Sequence, residues 1–269
     1  MRPLVILPTY NERENIDQLI AAVLKVDPRL GILVVDDASP DGTARAVLEL
    51  EAKARSRRVF LQSRPGKLGL AGAYIHGFKW GLANGYDFLV QMDADWSHHP
   101  AYLEKMLQLA PESDFVIGSR YVPGGGTRNW RLERRLLSRF ASIYSRSVLG
   151  MKTADITGGF NGWPAKILVD IGLDSLRSEG YSFQIELKYR AWRLGYRPVE
   201  FPILFDERRE GKSKMSTAIA FEACWRVWKF RIAAWKPPLV VSTAGLRPDP
   251  SPIKNEIRSD APLATGTRE

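Results

Sequence analysis

Two carboxylates one residue apart close an apolar run at Val90-Gln91-Met92-Asp93-Ala94-Asp95. Like charges this close raise each other's pKa and cost energy, which favours something positive between them. Acids at i and i+2 leaving a strand can converge on one hard divalent cation through oxygen ligands. Mg2+ or Mn2+ held by Asp93 and Asp95 would hold a nucleotide diphosphate in turn and offset its charge as a leaving group. A plain surface turn is the alternative. His98 and His99 follow, as further ligands or, with Pro100 next, as the start of a helix.

Two further stretches crowd acids where an apolar run ends. Pro8-Thr9-Tyr10-Asn11-Glu12 reads as a base shelf, with a ring face from Tyr10 and an acceptor from Glu12. A strand exit with Asn11 capping the next helix is the plainer reading. Asp36-Asp37-Ala38-Ser39-Pro40-Asp41-Gly42 offers acceptors for a base edge or ribose hydroxyls, although Ser39 and Asp41 suit turn and capping roles. A dinucleotide site would need glycines directly after the first strand, where Pro8 to Glu12 stand instead. Gly66-Lys67-Leu68-Gly69-Leu70-Ala71-Gly72 lacks the Lys-Ser/Thr ending of a phosphate loop, and a calcium loop from Asp37 would need Glu where Leu48 stands.

The elements that must position these residues follow from pattern. Val-, Ile- and Leu-rich runs at Leu4–Leu7, Ile32–Val35, Val59–Leu61, Phe88–Val90 and Phe115–Ile117 read as buried strands. Helical periodicity falls near 13–25, 42–55, 69–84 and 100–109. Such alternation predicts an α/β fold with a mostly parallel central sheet and helices on both faces. Ligands bind such sheets at the carboxyl ends of the strands, where all three acidic stretches lie. Beyond 118 come a glycine-rich loop, Gly124-Gly125-Gly126, that reads as a hinge or a mere connector, and a basic helix from Arg131 to about Leu149. A helix near 181–195, a strand near 198–204 and a helix from Met215 to Trp235 follow.

Taken in order, Pro-Thr-Tyr-Asn-Glu, Val-Asp-Asp-x-Ser-Pro-Asp-Gly-Thr, Asp-Ala-Asp, Gly-Ser-Arg-Tyr-Val-Pro-Gly-Gly, Asp-Ile-Thr-x-Gly-Phe and Arg-x-x-Gly-x-Ser-Lys-Met resemble the polyprenol monophosphomannose synthases, inverting glycosyltransferases of the GT-A type. The resemblance runs from about residue 3 to 216. It implies transfer of mannose from GDP-mannose to a polyprenyl or dolichyl phosphate. It further implies that Pro8, Tyr10, Glu12, Val35 and Asp37 line the guanosine site, that Asp93, Ala94 and Asp95 hold metal and diphosphate, and that Arg208 and Lys214 close over the nucleotide. Ser97 is a third metal candidate, standing where some members carry Gln. Arg120, Arg134 and Ser138 resemble the acceptor-phosphate contacts, and Asp95, Arg120 and Arg134 are the expected catalytic residues. A solvated charge in a basic run is the plain alternative for Arg134. A lipid phosphate is largely dianionic at neutral pH, so no dedicated base is expected. The expected division is a catalytic domain over 1–214, with a nucleotide half to about 118 and an acceptor half from 119, then an amphipathic helix at 215–236 and a disordered tail at 237–269.

Lys and Arg exceed Asp and Glu by 39 to 30, a net charge of +9. Residues 237–269 are neutral, with Arg247, Lys254, Arg258 and Arg268 against Asp249, Glu256, Asp260 and Glu269, so the excess lies before them. A basic body favours anionic partners. Nucleic acid is the rival partner of a different class, and acids at three strand ends speak against it. A polyprenyl-phosphate glucosyltransferase using UDP-glucose is the rival enzyme. One cysteine, Cys224, no leader pattern and no apolar run near twenty residues predict a cytoplasmic protein bound peripherally to the membrane's cytoplasmic face. The apolar stripe Phe221, Cys224, Trp225, Trp228, Ile232 and Trp235 spans roughly 100° of the last helix, to lie in the headgroup plane or to pack on the domain. A membrane-protein partner is left open.

Overall fold

The computed structural model describes residues 1–53, 58–207 and 217–232. Arg208, Lys214, Trp235 and the tail from Pro237 lie outside the described residues. The chain runs β1 (Pro3–Thr9), α1 (Arg13–Val26), β2 (Gly31–Asp36), α2 (Thr43–Lys53), β3 (Val59–Ser63), α3 (Leu70–Ala83), β4 (Phe88–Gln91) and α4 (Tyr102–Leu109). The second part runs β5 (Phe115–Ser119), β6 (Gly126–Thr127), α5 (Leu132–Leu149), β7 (Asn161–Pro164), α6 (Ala165–Ile171), α7 (Gly180–Arg193), β8 (Pro198–Pro202), β9 (Leu204–Phe205) and α8 (Thr217–Ile232).

Seven strands form one sheet in the order β3-β2-β1-β4-β7-β5-β8. Its alternating residues divide between two cores. Val5 and Leu7 of β1 pack with α1, α2 and α4, whereas Leu4 and Ile6 pack with α3, α6 and α7. Burial on both faces explains why these strands read as continuous apolar runs.

One strand of the seven-stranded sheet escaped the sequence reading. β7 runs antiparallel to both β4 and β5 and lies between them. Asn-Gly-Trp-Pro has no strand signature, and its place is decided by packing. A Cβ on Gly162 would lie 2.4 Å from the Phe88 ring, so only glycine lets β7 approach. Buried Gln91 accepts hydrogen bonds from Asn161 (3.0 Å) and Trp163 (2.9 Å), which holds the β4–β7 register. Because β4 and β5 both run antiparallel to β7, their carboxyl ends emerge on one edge of the sheet, beside the loop that enters β7.

The glycine loop leads into a short strand. Gly126 enters β6, which pairs parallel with β9, and its amide donates to Ile203 O at 2.9 Å. The glycines here serve the turn: Gly124 has φ of +87°, and a Cβ on Gly125 would sit 2.5 Å from Ser119 O. The segment is pinned at its end by a strand pair.

Candidate active site

The β1 and β2 ends are tied together by side chains. Thr9 Oγ1 donates to Asp36 Oδ1 at 2.8 Å, and Ser39 donates to Asp36 through both its amide (2.9 Å) and hydroxyl (2.6 Å). Asp41 accepts from the Thr43 amide and hydroxyl and from the Arg13 amide, so it holds the starts of α1 and α2. Asn11 takes a left-handed φ of 63°, and the cap position of α1 is Glu12, with no side chain capping it. Glu12 Oε2 accepts from Asn15 Nδ2 at 2.9 Å. Val35 is buried in β2, and Pro8 pairs with it in the β1–β2 ladder.

Asp37 is buried against Arg64, a partner that sequence reading missed. Arg64 donates from Nε to Asp37 Oδ1 at 2.6 Å and from Nη2 to Oδ2 at 2.7 Å, and the Leu68 amide adds a third bond at 3.1 Å. A carboxylate has about four acceptor sites, so roughly one remains for a nucleoside. The loop after Arg64 also brings Lys67 Nζ to 3.9 Å from the Tyr10 ring centroid, over one face of the expected shelf.

Asp93 and Asp95 lie where β4 surfaces, in a turn whose Trp96 has φ of 64°. Asp93 Oδ1 accepts from the Tyr74 hydroxyl of α3 at 3.0 Å, and Asp95 Oδ1 accepts from the Ser97 amide at 3.0 Å. Burial, then the nearby Asp93 charge, raises the Tyr74 pKa well above its ordinary value, so the phenol remains a donor. His98 is buried, and its Nδ1 accepts from the Asp93 amide at 3.1 Å. Burial lowers its pKa, which suits the neutral ring that this bond requires. Its ring packs on Phe160 and Phe205, each centroid 5.1 Å away. His98 thus braces the turn from within. His99 Nδ1 accepts from the Ala101 amide at the start of α4, the helix-start reading of this pair.

The residues present fit a hard divalent cation. Asp93 and Asp95 supply charged oxygens, and Ser97 Oγ is buried with no partner among the described residues, a further oxygen donor at the same turn. No group of three or more His, Cys, Asp or Glu gathers among the described residues, so such an ion would complete its shell with phosphate and water.

The acceptor candidates converge from β5 and α5. Arg120 donates from its amide and Nε to Asp155 Oδ2 (3.0 and 2.7 Å), and from Nη2 to Asp155 Oδ1 (2.7 Å) and Thr157 Oγ1 (2.9 Å). Burial raises the Asp155 pKa, but the Arg120 charge and hydrogen bonds outweigh it and hold the carboxyl below its ordinary value. Asp155 is held in turn by Lys188 and Glu200. Lys188 Nζ donates to Ile156 O and Gly158 O at 3.2 and 2.6 Å, while Glu200 accepts the Ala154 and Asp155 amides. Burial pushes the Lys188 pKa down to about 7, against the pull of Asp155.

Arg134 is not the solvated charge of the plain reading. Its guanidinium stacks 3.8 Å from the Trp130 ring, Nη1 donates to Glu207 at 3.1 Å, and Nε is buried with no partner among the described residues. Ser138, one turn on, accepts from the Tyr121 hydroxyl at 2.7 Å. Arg120 lies 5.7 Å from the Trp130 ring and 5.5 Å from Phe205, and Trp130 and Phe205 meet edge to face at 5.3 Å. Phe205 therefore links the Asp93–Ser97 turn, through His98, to Arg120 and, through Trp130, to Arg134. Trp130, Phe205, Glu207, Asp155, Lys188 and Tyr74 carry no motif spacing that sequence reading could have used, except Asp155 in its Asp-Ile-Thr run.

A family model described as Glycosyl transferase family 2 matches residues 4–172. The chain is 47% identical over 235 residues to the polyprenol monophosphomannose synthase of Mycolicibacterium smegmatis, covering 87% of this chain and 86% of that protein. It is 46% identical over 234 residues to the undecaprenyl-phosphate mannosyltransferase of Micrococcus luteus, covering 87% and 96%. Solved structures share the fold at lower identity. Glucosyl-3-phosphoglycerate synthase of Mycobacterium tuberculosis, in complex with Mn2+, UDP and glucosyl-3-phosphoglycerate, superposes with TM-score 0.58 at 19% identity over 85% of this chain and 77% of that one. A mannosyltransferase of Pyrobaculum calidifontis in complex with GDP-Man and Mn2+ superposes with TM-score 0.51 at 18% identity over 88% and 76%.

Proposed function

The chain belongs to glycosyl transferase family 2, and on that premise we propose that it transfers mannose from GDP-mannose to the phosphate of a polyprenyl (dolichyl-type) lipid with inversion. It has the GT-A-type fold of the superposed glycosyltransferases. The observation that carries the reading is the bridge at Phe205 between the Asp93–Ser97 turn and the two arginines, which sets an anion-anchoring cation site beside a second anion site. Residues 1–118 form the nucleotide half and residues 119–214 the acceptor half.

Asp93 and Asp95, with Ser97 beside them, would hold Mg2+ or Mn2+, which when bound offsets the charge of the departing diphosphate. Pro8, Tyr10, Glu12, Val35 and Asp37 line the guanosine side, with Arg64 fixing the Asp37 carboxylate. Arg208 and Lys214 lie outside the described residues, and the resemblance alone gives them the role of closing over the nucleotide. Arg134 offers its Nε, and Ser138 its hydroxyl, to the acceptor phosphate. Arg120, oriented by Asp155, adds fixed positive charge. An acceptor phosphate is already largely dianionic near neutral pH, so these residues need only aim its oxygen at the anomeric carbon.

The enzyme works at the cytoplasmic face of the membrane, held peripherally. No helix among the described residues is long and apolar enough to cross a membrane. The deciding experiment offers radiolabelled GDP-mannose, GDP-glucose, UDP-glucose and UDP-mannose with polyprenyl phosphate, Mg2+ or Mn2+. GDP-mannose alone should label the lipid. Labelling from UDP-glucose with none from GDP-mannose would replace the reading by a glucosyltransferase.

A further inference from the structure

β3 and α3 run side by side in matched steps. Two residues of strand rise about 6.6 Å and four of helix about 6 Å, so alternate strand positions meet successive helix turns. Phe60 meets Trp80 with ring centroids 5.0 Å apart, and Gln62 Oε1 lies 3.4 Å from His76 Nε2. Arg64 Nη1 lies 2.7 Å from where a Cβ on Gly72 would stand, so glycine is what admits the guanidinium. β3 ends the sheet, and the seam opens at that edge.

A cavity of about 380 Å³ occupies the Arg64 end of the seam. Gly72, Ile75, His76 and Lys79 face it from α3, at spacings of three, one and three that keep them on one side of the helix. Arg64, Pro65 and Leu68 close it from the loop after β3, and no Asp or Glu lines it.

Arg64 is 8% exposed, and its two edges are used unequally. Nε and Nη2 are forked onto Asp37, and Nη2 also reaches Gly69 O. Nη1 carries two more N–H donors, has no partner among the described residues, and lies against Gly72 at the cavity wall. His76 reports the field there. Burial lowers its pKa first, and the Arg64 and Lys79 charges lower it further, with no carboxylate opposing them. Lys79 is paired with Asp174, which occupies one of the three donors of its ammonium. Open donors in the wall of a positive cavity call for an anion.

We propose that this cavity, on the far side of Arg64 from Asp37, is a second anion site that binds a small organic phosphate and tightens nucleotide binding through Arg64. The site stands on the cavity and the open Nη1, and its effect rests on the nucleotide reading of Asp37. A planar carboxylate is best met by a two-nitrogen fork, and Asp37 already holds that edge of Arg64. Three separate basic groups remain, Arg64 Nη1, His76 and Lys79, which suit the tetrahedral oxygens of a phosphate. Pro65, Leu68 and Ile75 suit a short carbon body beside it. An occupant bonded to Nη1 fixes the guanidinium plane from its free edge, and that plane orients Asp37.

The test is calorimetry on the full chain with glycerol 3-phosphate and, as the uncharged control, glycerol. GDP with Mn2+ is then titrated with and without glycerol 3-phosphate. Glycerol 3-phosphate should bind and glycerol should not, and GDP should bind about fivefold tighter in its presence, the low end of ordinary coupling between sites. His76→Gln plus Lys79→Gln should leave GDP affinity unchanged when no phosphate is added. The pair should lower glycerol 3-phosphate affinity about tenfold and abolish the fivefold effect. Should the pair melt lower than wild type, Lys79→Gln alone, at an exposed position, carries the same test with about a threefold loss. Glycerol 3-phosphate binding that survives the pair but is lost in Arg134→Met would put the anion at the acceptor end and overturn the site. So would competition with GDP that the pair does not alter. Binding that leaves GDP affinity unchanged would overturn the coupling through Arg64. A chain that binds glycerol 3-phosphate here yet binds no GDP would keep the site and remove the nucleotide reading, and one that binds GDP and no glycerol 3-phosphate would do the reverse.

Discussion

At the proposed nucleotide end, Asp36, Asp93 and Asp95 accept from neutral donors: Thr9 and Ser39, Tyr74, and the Ser97 amide. At the proposed acceptor end, Arg120 and Arg134 each lie against a carboxylate, Asp155 or Glu207. The two ends treat charge differently. A carboxylate held by hydroxyls and amides is oriented while keeping its negative charge for an incoming cation. An arginine forked onto an acid is oriented at the expense of part of its field, so the acceptor end works by placement as much as by attraction. The ends also differ in how far their partners lie along the chain. Asp95 and Ser97 are two residues apart, Tyr74 and Asp93 19, and Thr9 and Asp36 27, whereas Arg120 and Asp155 are separated by 35 and Arg134 and Glu207 by 73.

The sharpest break in that comparison is at the nucleotide end. Asp95→Ala should cut transfer by about a thousandfold at saturating Mn2+, over 4 kcal/mol in transition-state stabilisation, with little change in melting temperature. Retention of more than a tenth of the rate would count against the metal assignment.

Asp155→Asn should show the opposite balance. It leaves Arg120 buried without its ion partner, a loss on the order of 3 kcal/mol in urea unfolding at pH 7. An unfolding free energy within about 0.5 kcal/mol of wild type would mean that Arg120 does not depend on this acid for its place.

Arg64→Met probes an exception, Asp37, a nucleotide-end carboxylate held by a cation. GDP affinity by calorimetry should fall about tenfold as Asp37 loses its anchor, with affinity for the lipid phosphate unchanged. Equal loss of both would place Arg64 in the general support of the fold.

Lys188 supplies a pH signature for the acceptor end. Its folded pKa, about 7, lies below its ordinary 10.5, so over that interval the unfolded chain holds the extra proton. Stability therefore gains from this residue as pH rises from about 7 toward 10.5, and the full penalty of burying the charge is present below 7. Wild type relative to Lys188→Met should grow more stable across that window. A difference independent of pH between 6 and 10 would remove the buried lysine's titration.

The smallest effect belongs to Glu207→Gln. The pair it forms with Arg134 is partly exposed, so stability should change by less than about 1 kcal/mol. The expected change is kinetic, a shift in KM for the lipid phosphate without one in KM for GDP-mannose. A matching shift in both would place Arg134 at the donor.

Most of the nucleotide half was legible because its signals are local. Two-sided burial makes β1, β2 and β4 continuous apolar runs, and their carboxyl ends are marked by acids within a few residues. Four-residue β7 was not legible, since Asn161-Gly162-Trp163-Pro164 becomes a strand only once Phe88 and Gln91 offer it a slot. Tyr74 and Arg64 were hidden for the same reason: each reaches its acid from a neighbouring βα unit, and nothing in its own neighbourhood marks it.

By itself the sequence determined the alternation of strands and helices, the acids at three strand ends and the periodic apolar rows, because each depends on residues within a turn or a strand of one another. Tertiary structure alone decided which acid orients which arginine. It also decided that α5 turns Ser138, Ser142 and Ser145 inward and Leu132, Leu136 and Phe140 toward solvent. Periodicity shows that a helix has two unlike faces, and only the surroundings, here the hydroxyls of Tyr121 and Thr157 on one side and solvent on the other, decide which one turns inward.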